Sequence, residues 1–244
     1  MKLSQQDTTH LQAILQTAKI CGIEKIIIED GFVRGLHEAR ACVIISDHNV
    51  PKLPQKVGLS RLNSLRDRLA LFDKQDPVIE ARETERGEIA ALDISAGRSR
   101  VSFRCTSTVL IKAPKVVNDE VAHEVYVEKG ELTRILSALR VMSAKKVQLT
   151  IRANKVVTIN LADDTNDAFT TDLEQPASGE PSDTSVSYYS GEVFSSVLTA
   201  VNAETSGNSV YVTLAVGEAG TIRTSIGGHS VIIMPLVGED EEEE

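Results

Sequence analysis

Five histidines, three cysteines and a short run of aspartates are the side chains of this sequence best suited to ligate a metal or to act as bases and nucleophiles. His10, His37, His48, His123 and His229 are scattered, form no His-x-x-x-His pair, and have no cysteine placed to complete a zinc site with them. Cys21, Cys42 and Cys105 stand far apart beside apolar or strand-like neighbours, which points to buried free thiols rather than a disulfide framework. Asp163, Asp164 and Asp167 cluster, but a calcium loop also needs a glycine and a later glutamate at fixed spacing, so this stretch reads as a solvated turn. The glycines at 217, 220, 227 and 228 fit hairpin turns, because no Gly-Lys-Ser/Thr follows to cradle a phosphate, and no Gly-x-Ser-x-Gly elbow is present. Neither an enzyme nor a cofactor is expected.

The remaining candidates are cations. A net charge of −9 argues against an ordinary DNA-binding domain, whose basic surface supplies affinity by releasing counterions. Six of the 35 acids occupy the last six positions, however, and subtracting that self-repelling run leaves about −3 for the rest. With no Trp and 4% aromatics, stacking on exposed bases is a poor prospect, whereas duplex or protein partners stay open.

The elements that would position these cations follow from periodicity. A helix is expected over 6–19, with Leu11, Ile14, Leu15 and Ala18 on one stripe, a cap from Asp7, Thr8 or Thr9, and Gly22 ending it. Strands over 25–29 and 32–37 flank the Asp30-Gly31 turn, and a third covers 41–46. After a proline-punctuated loop over 49–55, Leu62, Leu65, Leu69 and Phe72 mark a helix over 59–73, followed by strands over 78–83, 89–94 and 99–105. An extended connector is expected over 106–120. A second block then repeats the first: strand 123–127, helix 129–143 with Leu132, Ile135, Leu136, Leu139 and Met142 inward, and strands 146–152 and 156–162. A loop over 175–184, strand 186–190, helix 191–203 and strands 209–216, 221–226 and 230–236 complete it. The order strand, helix, three strands occurs four times and pairs into two similar domains, an α+β class of chain. The expected boundaries are 1–106 for the first domain, 107–120 for the connector, 121–238 for the second domain and 239–244 for a disordered acidic tail.

On these helices the basic residues lie off the apolar stripe. The second helix offers Arg61 and Arg68 opposite its leucines and Arg66 at its flank. The third offers Arg134 and Arg140, with Lys145 and Lys146 following, and the first offers Lys19; the fourth has none.

The opening Met1-Lys2-Leu3-Ser4, the Asp7-Thr8-Thr9 before the first helix and the strand ending Ile45-Ser46-Asp47 resemble the sliding clamp of T4-like bacteriophages. The terminal Ile233-Met234-Pro235-Leu236-Val237 followed by acids is similar to the end of the archaeal and eukaryotic clamp, the proliferating cell nuclear antigen. The resemblance implies a duplicated clamp fold, two domains per chain, helices lining a central hole and antiparallel sheets outside. Six domains per ring then imply a head-to-tail homotrimer. Duplex DNA would be held by encirclement, without sequence preference, and the DNA-facing residues would be Lys19, Arg61, Arg66, Arg68, Arg134, Arg140, Lys145 and Lys146. Peptide tails of the DNA polymerase and the clamp loader would dock near Cys42, Leu110, Ile111, Met234, Pro235, Leu236 and Val237. The longest apolar runs are too short to span a membrane and the N-terminus lacks a signal sequence, so a cytoplasmic protein is expected, in an infected bacterial host if of phage origin. A scaffolding oligomer of duplicated α+β domains without a DNA role is the alternative.

Overall fold

In the computed structural model, residues 2–47, 50, 52–53, 55–112, 114, 117–163, 165, 167–179, 183–204 and 210–236 are described. The chain divides into two compact units. The first comprises Met1–Glu38, Val43–Val116 and Ile226–Ser230, and the second Ala39–Cys42, Val117–Ser225 and Val231–Glu244.

The first unit opens with α1 (Gln5–Ile20). Its cap is Ser4, whose Oγ accepts from Asp7 N (3.1 Å) while the Asp7 carboxylate accepts from Ser4 N (3.0 Å), a reciprocal pair that satisfies the free amides of the first turn. Leu11, Ile14, Leu15 and Ala18 are buried on one stripe, each large side chain contributing about 1.5–3 kcal/mol by leaving water. Strands β1 (Ile26–Glu29), β2 (Phe32–Leu36), β3 (Cys42–Ser46) and β4 (Val57–Leu59) pair antiparallel in the order β4-β1-β2-β3. Helix α2 (Leu62–Ala70) leads to the antiparallel meander β5 (Val78–Glu83), β6 (Ile89–Ala96) and β7 (Ser99–Arg104).

The second unit repeats this plan. It contains β8 (Val121–Glu128), α3 (Lys129–Met142), β9 (Lys146–Ile151), β10 (Val157–Ala162), β11 (Ala168–Asp172), β12 (Ser185–Ser190), α4 (Gly191–Glu204), β13 (Tyr211–Gly217), and most of β14 (Ile222–Ile226) and β15 (His229–Ile233), whose joining residues Ile226–Ser230 belong to the first unit. Its strands run in the orders β15-β14-β13-β8 and β11-β10-β9-β12. At the start of α3 the buried Glu131 carboxylate accepts from Glu128 N (3.0 Å) and Glu174 N (2.8 Å), tying the helix to the chain beyond β11. No helix among the described residues is long and apolar enough to cross a membrane.

The α+β class expected from the sequence is the one found, with several differences in detail. The cap of α1 is Ser4, upstream of the expected Asp7, Thr8 or Thr9. Leu59 lies in β4 rather than in a helix over 59–73. Its spacing to Leu62 mimics a helical repeat, but Arg61 has φ 55°, a left-handed residue that no helix continues through. Phe72 lies beyond the helix yet is buried. In α3, Leu136 and Met142 are half-buried where a buried stripe was expected. Strands β4 and β11 are not among the expected strands, and with them each helix from α2 onward has one strand before it and three after it; the isolated bridge Lys2 to Val78 stands in the leading position before α1.

The connector is not simply extended. Thr108–Leu110 forms a 3₁₀ turn, and Thr106 bridges to Gly58, where an added Cβ would meet the Thr106 carbonyl at 2.4 Å, so only glycine admits this approach. Farther on, Asp119 accepts from Ala219 N (2.9 Å), Thr221 N (3.2 Å) and Thr221 Oγ1 (2.6 Å). Partial burial works to raise its pKa, but these hydrogen bonds outweigh it and hold the carboxyl below the usual value.

Several sheet edges are covered by other chain segments. The bridge from Lys2 covers β5, Thr106 covers β4, Leu236 N donates to Tyr188 O on β12 (2.7 Å), and Ser178 N donates to Glu124 O on β8 (2.9 Å). By contrast β7 and β11 each end their sheet, with no main-chain partner on the outer side among the described residues.

Candidate nucleic-acid interface

Each unit carries one pair of helices. In the first, Gln5 N donates to Asp76 (3.1 Å), Gln12 Nε2 to Asp73 (3.3 Å), and Arg66 reaches Gln16, so residues later in α1 meet residues earlier around α2 and the helices run antiparallel. This brings the end of α1 to the start of α2. Between them lies a cleft of about 500 Å³ lined by Lys19, Gly22, Lys25, Ser60, Arg61 and Asn63, among others. Arg61, as the N-cap residue, offers no side-chain acceptor to the first turn of α2, and no acid occupies that turn. Three cations against the one acid Glu24, together with an uncapped helix start, form an environment that favours an anion.

The second unit has the matching cleft, about 530 Å³, where the end of α3 meets the start of α4. It is lined by Arg140, Ser143, Lys145, Ser190, Gly191 and Glu192, among others. Gly191 permits the close approach: a Cβ there would stand 1.8 Å from the Ala144 carbonyl, and its amide donates to Lys145 O (2.7 Å). Ser143 takes φ 48°, so each cleft contains one left-handed non-glycine residue, Arg61 in the first and Ser143 in the second. Each cleft carries one acid, Glu24 in the first and Glu192 in the second, so the second is the less positive because it holds two cations to the first's three.

The eight basic residues singled out from the sequence therefore separate. Lys19 and Arg61 share the first cleft, and Arg140 and Lys145 the second. Arg66 is half-buried and holds Gln16 and Asp67 (2.8 Å). Arg68 folds back onto Ser64, and its guanidinium lies 5.8 Å from the Phe103 ring centroid, with that of Arg61 at 5.1 Å. Arg134 Nη2 donates to Thr171 Oγ1 of β11 (3.2 Å), and Lys146 Nζ sits 4.2 Å over the Tyr188 ring.

Lys25 was missed. It follows Lys19 by six residues, as Lys146 follows Arg140, and aligning the two repeats would have found it. The basic run Arg98, Arg100 and Arg104 along the open β7 edge was also missed, because an edge cannot be recognised without the sheet order.

Of the expected peptide-docking residues, Cys42 is buried, Ile111 is buried, and Leu110 is 69% exposed in the 3₁₀ turn. Met234 N donates to Ala41 O (2.9 Å), beside Cys42, and Leu236 is 41% exposed; Val237 and the acidic tail lie outside the described residues. Cys21 is buried, whereas Cys105 is half-buried, with burial pushing its thiol up to about 11, so it stays protonated at neutral pH. Asp163 accepts from Thr165 N (2.8 Å), Thr165 Oγ1 (2.8 Å) and Asp167 N (3.0 Å), the hydrogen bonds of a turn; Asp164 lies outside the described residues.

No family model and no curated protein sequence matches this chain. Solved structures do. It is similar to the PCNA of A. fulgidus, seen with the C-terminal region of FEN-1 bound, at TM-score 0.63 and 12% identity, over 98% of this chain and 99% of that one. It is similar to the proliferating cellular nuclear antigen of Entamoeba histolytica at TM-score 0.66 and 9% identity, over 94% and 96%. With the DNA polymerase III subunit beta of Pseudomonas aeruginosa the TM-score is 0.70 at 10% identity, over 97% of this chain and 65% of that longer one. Over nearly its whole length, this chain has the fold of the DNA sliding clamps.

Proposed function

We propose that this protein is a DNA sliding clamp, a processivity factor that closes as a homotrimeric ring around duplex DNA and tethers a polymerase to it. The observation that carries this is the duplicated helix pair, with a cation-lined cleft at the same place in both units, on a fold shared end to end with clamp proteins. Domains over 1–106 and 121–238 joined by a connector over 107–120 give two repeats per chain, so three chains supply six. Two open edges, β7 in one unit and β11 in the other, support head-to-tail joining, since a heterologous contact needs two different surfaces. Their charges are complementary. The stretch 98–104 carries Arg98, Arg100 and Arg104 and no acid, whereas 163–172 carries Asp163, Asp164, Asp167 and Asp172 and no base.

The ring would hold DNA by topology, and its cations would make weak, sequence-independent contacts with phosphates that permit sliding. That arrangement explains how an acidic protein serves DNA. Polymerase and clamp-loader tails would dock on the apolar residues around Leu110, Ile111 and 234–237, and the chain itself would perform no catalysis. On its N-terminal residues the clamp is of the T4-like phage type, acting in the cytoplasm of an infected host.

The test is loader- and ATP-dependent retention on nicked circular DNA. Replacing Arg61, Arg68, Arg134 and Arg140 by Ala should shorten retention about tenfold or more at fixed salt, with the oligomer intact. A wild-type oligomer that is never retained would instead favour a scaffold without a DNA role.

A further inference from the structure

Two histidines 219 residues apart in sequence meet inside the first unit. His10 projects from α1 and His229 opens β15, with ring centroids 5.9 Å apart in an edge-on arrangement, and both are buried. Their polar surroundings differ. His10 Nδ1 lies 3.0 Å from Gly227 O, which can only accept, so Nδ1 carries the proton; Nε2 lies 3.0 Å from Ser46 Oγ, which in the neutral tautomer donates to it. Both nitrogens of His229 are buried and have no hydrogen-bond partner.

A neutral imidazole leaves one donor and one acceptor unmet there. An imidazolium would leave two donors and a full charge, a much larger penalty. The groups around the pair offer no compensation. Ser46 from β3 and the Gly227 carbonyl from the turn are neutral and already engaged by His10. Among the described residues, His10 is the titratable group whose charge acts on His229, and it acts against protonation. Burial first, and the field of His10 second, lower the His229 pKa to about 4.

The position gives this pair its consequence. The turn Ile226–Ser230 belongs to the first unit, although the chain on either side of it belongs to the second. His10 is one of its contacts there: it bonds Gly227 and packs its ring edge against Gly228, where an added Cβ would stand 3.3 Å away.

We propose that the His10–His229 pair is an acid-sensitive clasp, which holds the turn Ile226–Ser230 against α1 while His229 is neutral and releases it when His229 takes up a proton. In the released state His229 meets water and titrates near 6.5, its ordinary value. Because the held state binds that proton only near pH 4, the clasp is at full strength above pH 6.5 and weakens as pH falls from 6.5 towards 4. From these two values, the opening equilibrium of the turn rises about 30-fold between pH 7.5 and pH 5.

Hydrogen exchange of the full-length protein, corrected for intrinsic rates, reads this directly. Protection of residues 226–230 should fall about 30-fold over that interval, while protection in β9 and β10 holds, and His229→Phe should remove most of the dependence while keeping a buried ring. Imidazole resonances of the wild type provide an independent readout that needs no variant: His229 should still be neutral at pH 5. Titration of His229 near 6.5 in the folded protein, or turn protection that does not change with pH, would overturn the proposal. If His229→Phe does not fold, the wild-type exchange and resonance data decide it.

Discussion

Arg61 joins the proposed DNA contact and local structure in one side chain. It carries one of the cations of the first cleft, stacks over Phe103, donates to Arg104 O (3.2 Å), and takes φ 55° at the start of α2. A left-handed backbone costs a residue with a Cβ about 1–2 kcal/mol, a cost glycine does not bear. Arg61→Gly should therefore leave stability within about 1 kcal/mol of wild type, measured by urea denaturation, as relieved strain offsets the lost stacking and added chain entropy. The same variant should shorten DNA retention severalfold. A drop in stability matching the drop in retention would assign Arg61 a structural role instead. The sequence located Arg61 but not its backbone conformation, which is set by the passage from β4 into α2, and the expected helix began at Leu59, inside β4.

At the scale of elements, the consequential features are the edges of β7 and β11. An uncovered edge is a hazard unless a partner is intended, and other edges here are closed by Lys2, Thr106, Ser178 and Leu236. Arg100 ion-pairs with Glu80 (3.4 Å) on its own sheet, but at 64% exposure that pair is weak and leaves the edge basic. Arg98→Glu with Arg100→Glu should weaken self-association at least tenfold, read by analytical ultracentrifugation. Adding Asp167→Lys and Asp172→Lys to the same chain should restore it, because the two edges then exchange sign. Unchanged association in the first variant would remove these edges from the joint. Strand β11 was hidden in the sequence because Phe169 is its only large apolar residue, whereas α4 was plain, with Val193, Phe194, Val197, Leu198 and Val201 all buried as its spacing indicates.

At the scale of the whole molecule, a ring of six repeats needs three two-repeat chains. Three copies of a 26.5 kDa chain give about 80 kDa, which light scattering should find at micromolar concentration and low salt. Raising the salt should shift the mass downwards, since charged edges at the joint are screened over about 10 Å at 0.1 M. A monomer at every concentration and salt would sink the ring.

The sequence by itself determined the four helices with the greater part of their buried stripes, and the repetition of one plan in two blocks. These are local or periodic properties, written in side-chain spacing that one stretch of chain carries alone. Tertiary structure decided which edges stay open, which arginines face a cleft and which fold back onto Ser64 or Gln16. It also decided that His10 meets His229. Those outcomes depend on pairings between residues far apart in the chain. The energy that selects them comes from burial and hydrogen bonding between elements, which no periodicity within one element records.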